Sequence, residues 1–258
     1  MRPEAYETLA GREERYWWHR ARRSMAADLL RLHGLIDGGR VVDLGCGVGG
    51  NLTMPAAASP RSTVGVDLSP IALAHARARY PDARLVRADL NRPLPFADAS
   101  IDAVTIFNVL YHQWIRDDVS ILGDVHRILR PGGLLLATEP AFGSFTRQMD
   151  EVVMTRRRYR IPEFADMCRQ AQLDVRFASY FGSFGAPVVW LMKALDRWFH
   201  RSSRGHIQAD LKPIAPVTNE LLYVVARTEA FAVAHGVRLP IGLTLVCVAR
   251  KPAFRETT

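Results

Sequence analysis

Short apolar runs alternate with helical patterns in the first half of the chain. The β-branched and aliphatic runs are separated by segments in which apolar residues recur every three or four positions. This alternation is typical of βαβ units and predicts a parallel sheet. The predicted strands span residues 41–44, 63–66, 83–87, 101–107 and 134–138.

Capping and breaking signals place the helices between these strands. Ser69 and Pro70 supply an N-cap and a first-turn proline after the second strand. The sequence Pro131-Gly132-Gly133 ends a helix before the fifth strand. The predicted helices span residues 4–14, 20–32, 71–80 and 117–129, and another begins near residue 162.

The second half of the chain is less regular. Two segments alternate like strands, and the long insertion between them holds two helical patterns separated by a polar stretch. The strands are predicted at 173–181 and 243–249, the helices at 187–199 and 219–235, and the polar stretch at 200–206. We expect four parts: an N-terminal helical cap (1–38), a core (39–181), a helical insertion (182–242), and a last strand with its tail (243–258).

Composition is that of an ordinary soluble globular protein. The 258 residues are 48% hydrophobic and 23% charged, and no apolar run is long enough to span a bilayer. The N-terminus has no signal-peptide core. Cys46, Cys168 and Cys247 show neither metal-ligand nor disulfide spacing, so we expect a cytoplasmic protein without a metal site.

The net charge of +8 is carried almost entirely by arginine. Arginine bias with abundant alanine indicates a GC-rich genome rather than a nucleic-acid partner. The densest basic run is Arg156-Arg157-Arg158-Tyr159-Arg160. It is either a site for a phosphate, an acidic substrate or an anionic membrane surface, or a solvated face of the protein.

An alternating-glycine loop follows the first predicted strand. Gly45, Gly47 and Gly49 allow a tight turn and a close approach of a ligand to the backbone. Asp43 precedes the loop, and a carboxylate there would repel a pyrophosphate and attract a cation. The loop therefore favours S-adenosylmethionine (SAM), which has an ammonium, a sulfonium and no phosphate, over a dinucleotide.

Acidic residues end the first three predicted strands. Carboxyl ends of parallel strands line one crevice, so Asp43, Asp67 and Asp89 are expected to meet there. Asp43 suits the cationic amino acid end of SAM, and Asp67 suits the ribose hydroxyls. Asp89 suits the adenine amine, with Leu68 and Leu90 packing on the ring faces.

These residues carry a resemblance to the class I SAM-dependent methyltransferases, which is close over about residues 38–140. The resemblance implies a Rossmann-like, doubly wound, seven-stranded and mostly parallel sheet whose last strand is antiparallel. The matching stretches are Asp43-Leu44-Gly45-Cys46-Gly47-Val48-Gly49, Gly65-Val66-Asp67-Leu68-Ser69, Ala88-Asp89-Leu90, the segment 94–102 and Leu129-Arg130-Pro131-Gly132-Gly133.

The resemblance also implies which residues contact the cofactor. The glycine loop with Cys46 approaches the methionyl part, and Asn108 faces the cofactor after the fourth strand. The segment from Tyr16 to Arg23 resembles a cap that closes over SAM in some members, which makes Trp18 and Arg22 candidate contacts. Alternatively, the tryptophans anchor a helix to the domain.

Catalytic candidates follow the fourth and fifth strands. A base is needed only if the acceptor must lose a proton, and His112 is the best-placed residue for that role. His112 could instead only shape the pocket. Tyr111 and Glu139 are the next candidates at the same edge of the sheet, and Glu139 could equally anchor a loop before Pro140.

The acceptor is expected to be a small molecule. The chain lacks the Asn/Asp-Pro-Pro-aromatic motif of nucleic-acid and protein N-methyltransferases and the Pro-Cys nucleophile of cytosine-C5 enzymes. The apolar stripe at 187–199 would suit a pocket for a hydrophobic or aromatic metabolite, an interfacial helix on a membrane, or a core helix. The oligomeric state stays open, a dimer included.

Two other functions compete with methyl transfer. An NAD(P)-dependent oxidoreductase would use a similar loop, but Asp43 and the Gly-x-Gly-x-Gly spacing disfavour it. A non-catalytic SAM-fold module that scaffolds a partner is the other alternative.

Overall fold

The structure is a computed structural model that describes residues 13–35, 39–52, 63–143, 154–187, 189–191 and 214–253. Across these described residues, no helix has the length and apolar character needed to cross a membrane. The predicted helix at 4–14, the polar stretch at 200–206 and most of the predicted helix at 187–199 lie outside them.

The described part of the chain includes seven strands and five α-helices that shape the sheet and its two helical layers. In chain order they are helix α1 (Trp17–Leu32), strand β1 (Val41–Leu44), strand β2 (Thr63–Asp67), helix α2 (Pro70–Arg79), strand β3 (Arg84–Arg87), strand β4 (Ile101–Phe107), helix α3 (Asp118–Ile128), strand β5 (Leu129–Pro140), helix α4 (Ile161–Gln170), strand β6 (Asp174–Phe181), helix α5 (Pro216–Ala234) and strand β7 (Thr244–Arg250).

The strands form one sheet in the order β3-β2-β1-β4-β5-β7-β6. Strands β1 to β5 pair in parallel, and β7 is antiparallel to both β5 and β6. The doubly wound, mostly parallel seven-stranded sheet is therefore confirmed. The chain runs outward in one direction from β1 and in the other from β4, which makes their carboxyl ends the switch point of the sheet.

Local signals account for most element boundaries. Ser69 caps α2 by accepting a hydrogen bond from the Ala72 amide at 3.2 Å, and Asp117 caps α3 in the same way. The start of β5 differs from the prediction, because sheet pairing begins at Leu129. The Pro-Gly-Gly sequence ends α3 as expected, but it forms an irregularity inside β5, where the register to β4 shifts between Ile101 and Ala103.

Apolar side chains of alternate strand residues face opposite layers of helices, as the two-residue period of a strand requires. On one face, helices α1 and α5 cover Ala103, Leu134 and Val246. On the other face, helices α3 and α4 cover Val104 and Leu135. Helix α1 of the expected cap and helix α5 of the expected insertion thus pack together on the sheet itself.

The basic run forms an internal clasp. The Asp118 carboxylate is buried and accepts hydrogen bonds from Arg156, from Arg157 at 3.3 Å and from the Tyr159 hydroxyl at 3.1 Å. Tyr159 is itself fully buried. Arg156 and Arg157 therefore pair with a buried carboxylate of α3, although Arg156 is exposed and Arg157 half-buried.

We expect Asp118→Ala to lower the free energy of unfolding by about 2–3 kcal/mol, because it removes a buried acceptor of charged hydrogen bonds. Asp98→Ala is the control, because Asp98 also pairs with an arginine but its side chain is 77% exposed. It should cost less than about 1 kcal/mol. Urea unfolding measures both, and equal small losses would contradict the assignment of a clasp.

Candidate functional site

A cavity of about 560 Å³ opens at the switch point, within the size range of small-molecule sites. Its walls come from the loop after β1, the ends of β2 and β3, the loop after β4, and the N-terminal segment. The lining residues are Glu13, His19, Arg22, Gly45, Cys46, Gly47, Val48, Asn51, Asp67, Leu68, Ser69, Pro70, Asp89, Leu90, Asn91, Phe107, Asn108, Val109, Tyr111, His112, Trp114 and Ile115.

The three loop glycines have three different surroundings, and all have positive φ. A side chain on Gly45 would overlap Val109, so Gly45 allows β1 and the loop after β4 to approach each other. Gly47 has φ +56° and faces open space, which leaves its backbone bare to the cavity. Gly49 does not line the cavity. A Cβ there would lie 3.0 Å from Tyr80, so the expected cofactor contact is corrected to helix packing.

Asp67 joins β2 to the glycine loop. Its Oδ2 accepts from the Gly47 amide at 2.9 Å, and its Oδ1 accepts from the Ser69 amide at 2.8 Å. Burial raises the pKa of Asp67, while these two amides act to lower it. Each carboxylate oxygen keeps further acceptor capacity toward the cavity, which suits a diol.

An apolar slot with a polar edge lies beyond Asp67. Leu68 and Trp114 line the cavity and are 48% and 47% exposed, which is unusual for large apolar side chains in a concave site. Asp89 is held by Asn91, whose amide and side chain donate to Asp89 Oδ1 at 3.0 and 2.7 Å and lower its pKa. Leu90 lines the slot beside them. A flat ring with an exocyclic amine fits between these groups.

Asp43 lies behind the glycine loop and does not line the cavity. Thr105 Oγ1 donates to its Oδ1 at 2.6 Å, and its Oδ2 has no hydrogen-bond partner among the described residues. Burial raises the pKa of Asp43 to about 7, with Arg22 acting to lower it. The expected direct contact with a ligand is therefore corrected, because Asp43 is 2% exposed and does not line the cavity.

A buried arginine of α1 forms the facing wall. The Arg22 guanidinium is 3% exposed, lies 3.4 Å from Asn51 Oδ1 and 3.5 Å from His19 Nδ1, and sits 5.4 Å from the centre of the Phe107 ring. Its Nε has no partner in the described part of the chain. Burial lowers the pKa of Arg22, although Glu13 opposes this. A buried cation with an unused donor is suited to a carboxylate.

Trp18 does not reach this wall. Its ring stacks on Phe181 with the centroids 4.7 Å apart, and it packs against Gly182. Trp18 is therefore an anchor of α1 on the sheet, and the expected cofactor contact is wrong. Trp18 and Arg22 lie one turn apart along α1, and their partners differ: Trp18 packs against Phe181 and Gly182, whereas Arg22 lies beside Asn51 after the glycine loop.

The loop after β4 brings three expected residues to the cavity. Asn108 has φ +56°, and its side-chain Oδ1 has no partner within the described ranges. Tyr111 and His112 also line the cavity, with ring centroids 4.1 Å apart. These residues lie together as predicted.

Glu139 is fully buried and does not line the cavity. Its carboxyl group accepts hydrogen bonds from the backbone amides of Val109, Leu110 and Tyr111 at 3.0, 2.9 and 3.3 Å. Burial raises its pKa to about 8, and the three amides oppose this rise. The catalytic role considered for Glu139 is therefore wrong, since no substrate can touch it.

Several lining residues were not predicted, namely Glu13, His19, Asn51, Asn91 and Trp114. His19 could have been found, because it lies three residues before Arg22 and so on the same side of the helix. Its pKa lies well below the usual range because it is buried beside Arg22 and Arg23, which keeps the imidazole neutral. Glu13 faces the same arginine, and burial raises its pKa.

Comparisons with known proteins agree with this geometry. The family profile of a methyltransferase domain matches residues 41–133. A probable S-adenosylmethionine-dependent methyltransferase of Mycolicibacterium smegmatis is 35% identical over 50% of this chain and 47% of its own length. A trans-aconitate 2-methyltransferase of Azoarcus sp. is 37% identical over 46% of each chain.

A solved structure shows a similar fold. It is the complex between the Haloferax volcanii Trm112 methyltransferase activator and a methyltransferase, with a TM-score of 0.61 and 21% identity over 96% of this chain and 97% of that one. The chain spans about half the length of the curated relatives named above. Residues 41–133 of this chain thus match a methyltransferase domain, and relatives named as SAM-dependent methyltransferases share that part of the sequence.

Proposed function

We propose that this chain is an enzyme that transfers a methyl group from SAM to a small-molecule acceptor. The observation that carries the proposal is the arrangement of the cavity. A bare glycine backbone, a diol-binding acid and an open apolar slot follow one another along it, and a buried arginine faces the glycines. That order matches the methionyl, ribose and adenine parts of SAM.

Each part of the cofactor has a proposed partner. Asp67 accepts the ribose hydroxyls, and adenine lies between Leu68 and Leu90 with its amine toward Asp89. The backbone at Gly45, Cys46 and Gly47, with Asn108, holds the methionyl part. The Arg22 guanidinium pairs with the cofactor carboxylate, while the charge of Asp43 favours its ammonium.

The chain's own residues would position the reacting groups. When bound, SAM supplies a methyl group on a sulfonium, which leaves orientation and desolvation as the main tasks of the protein. His112 lines the same cavity as the glycine loop and is the residue that would take a proton from an acceptor at neutral pH. The Tyr111 ring, which packs against His112, would hold that ring in place.

The acceptor is proposed to be a small and partly apolar or aromatic metabolite. Phe107, Tyr111, Trp114 and Ile115 line the cavity around His112. Apolar walls with a few polar groups are typical of such sites. The named relative from Azoarcus acts on trans-aconitate, so small carboxylated acids belong in the same acceptor screen.

The direct test is an acceptor screen with SAM, read by release of S-adenosylhomocysteine (SAH). We expect turnover above the background hydrolysis of SAM with at least one apolar, aromatic or carboxylated metabolite. Mass spectrometry must then find one added methyl group on that acceptor. Tight SAH binding without turnover on any acceptor would favour the non-catalytic module instead.

We expect Gly47→Ala to weaken SAH binding at least tenfold, because the new methyl group would project into the cavity beside the cofactor. Gly236→Ala is the matched control, since Gly236 also has positive φ and nothing within 4 Å of an added Cβ, but lies after α5. Both changes should cost about 1 kcal/mol of stability from backbone strain. Titration calorimetry with SAH that finds equal affinity for the two variants would contradict the placement of Gly47.

For His112→Ala, we expect kcat on an identified acceptor to fall about 10²–10³-fold while SAH affinity changes less than threefold, because a base acts only in the chemical step. Phe107→Leu is the control, because Phe107 also lines the cavity but its side chain has no proton to transfer. If kcat is unchanged in His112→Ala, the residue only shapes the pocket and the proposed base is wrong.

A further inference from the structure

The Glu139 carboxyl group sits at the end of β5, in the core beneath the loop after β4. It is fully buried, and it accepts from three consecutive backbone amides, those of Val109, Leu110 and Tyr111. Oε1 takes the first two at 3.0 and 2.9 Å, and Oε2 takes the third at 3.3 Å. One side chain thus satisfies the backbone donors of a whole turn.

The loop geometry creates the need for this acceptor. Asn108 adopts a left-handed conformation with φ +56°, and the amides that follow it converge on one point. Converging amides form a concave anion site of the kind that binds phosphates and carboxylates. Here the site faces the core, so without Glu139 three buried donors would lack partners, which is costly.

The loop held in this way carries the residues that face the cavity. Asn108, Tyr111 and His112 line the cavity, while Glu139 does not. The loop is also tied at its two ends, by the Asn108 amide to the Thr138 carbonyl at 2.7 Å and by the Arg156 amide to the Tyr111 carbonyl at 2.7 Å. Between these ties, Glu139 holds three backbone amides of the loop, and the Arg156 side chain lies 3.4 Å from the Leu110 carbonyl.

We propose that Glu139 is a positioning residue, which holds the 108–112 loop so that Asn108 and His112 meet the cofactor and the acceptor. The expected effect on ligand binding and catalysis rests on the proposed function. The three hydrogen bonds that Glu139 accepts from the loop, called here the clamp, do not depend on it. Glu139 acts through the loop backbone and touches no ligand.

The test compares Glu139→Ala and Glu139→Gln with the control Asp28→Asn. Gln keeps the size of the side chain and one carbonyl oxygen, so it can hold two amides but presents a donor to the third. Asp28 is a buried acid that pairs with Arg31 at 2.7 Å and Arg227 at 3.0 Å, between helices α1 and α5. Its loss destabilises the fold away from the loop.

Hydrogen exchange by NMR and SAH titration calorimetry are the two measurements. In Glu139→Gln we expect protection of the Tyr111 amide from hydrogen exchange to fall about tenfold. The protection of the Val109 and Leu110 amides should stay near the wild-type value. In Glu139→Ala all three amides should lose at least tenfold. SAH affinity should fall in the order wild type, Gln, Ala, with about a tenfold loss for Ala. Asp28→Asn should leave both the loop amides and SAH affinity unchanged.

The proposal is overturned if Glu139→Ala keeps wild-type loop protection and SAH affinity, or if Asp28→Asn reproduces its losses at equal destabilisation. If Glu139→Ala does not fold, the selective loss at Tyr111 in Glu139→Gln decides, and its absence refutes the clamp. A wild-type protein that does not bind SAH would refute the proposed function instead. The exchange measurement would still report on the clamp.

Discussion

The divergence of the chain at strands β1 and β4 is the constraint on which the rest of the site depends. These strands lie side by side in parallel, and their connections leave the sheet in opposite directions. No crossover can therefore cover their carboxyl ends, and a crevice must open there. Asp43 and Thr105 are register partners across this pair, and a buried hydrogen bond of 2.6 Å joins their side chains.

The charges around the crevice follow from this geometry. Asp67 and Asp89 line the cavity from the strand ends, Asp43 is buried behind the glycine loop, and Arg22 enters from α1, so the cavity has a carboxylate side and a guanidinium side. The buried positions of Asp43 and Arg22 are costly for charged groups, as the pKa shifts of both show. Such an arrangement is suited to a ligand that carries both an ammonium and a carboxylate. A pyrophosphate would meet acids at the point where it needs amides and cations.

The sheet and the adenosine side of the site could be predicted from sequence, because both depend on local patterns. Strands β1 and β4 have the predicted bounds, and Asp67, Leu68, Asp89 and Leu90 line the cavity as expected. Each of these residues lies at the end of a strand or within three residues after it, so the strand fixes its place. The cap of α2 at Ser69 is local in the same sense.

The errors concern residues whose role is set by a distant partner. Trp18 packs against Phe181, and Glu139 accepts hydrogen bonds from amides about thirty residues earlier in the chain. Gly49 packs on α2, and the spacing of the loop glycines does not predict this contact. The sequence left two interpretations of Arg156 undecided, a ligand site and a solvated face, because its partner Asp118 lies 38 residues away in the chain. Such long-range contacts produce neither a hydrophobic periodicity nor a short motif in the sequence.

The central claim is that the cavity holds a phosphate-free adenosyl ligand with a zwitterionic amino acid end. Titration calorimetry of the protein with SAH and, separately, with NAD tests it most directly. The account predicts one site for SAH with micromolar or tighter affinity, and no measurable binding of NAD at the same concentrations. Binding of NAD without binding of SAH would contradict it.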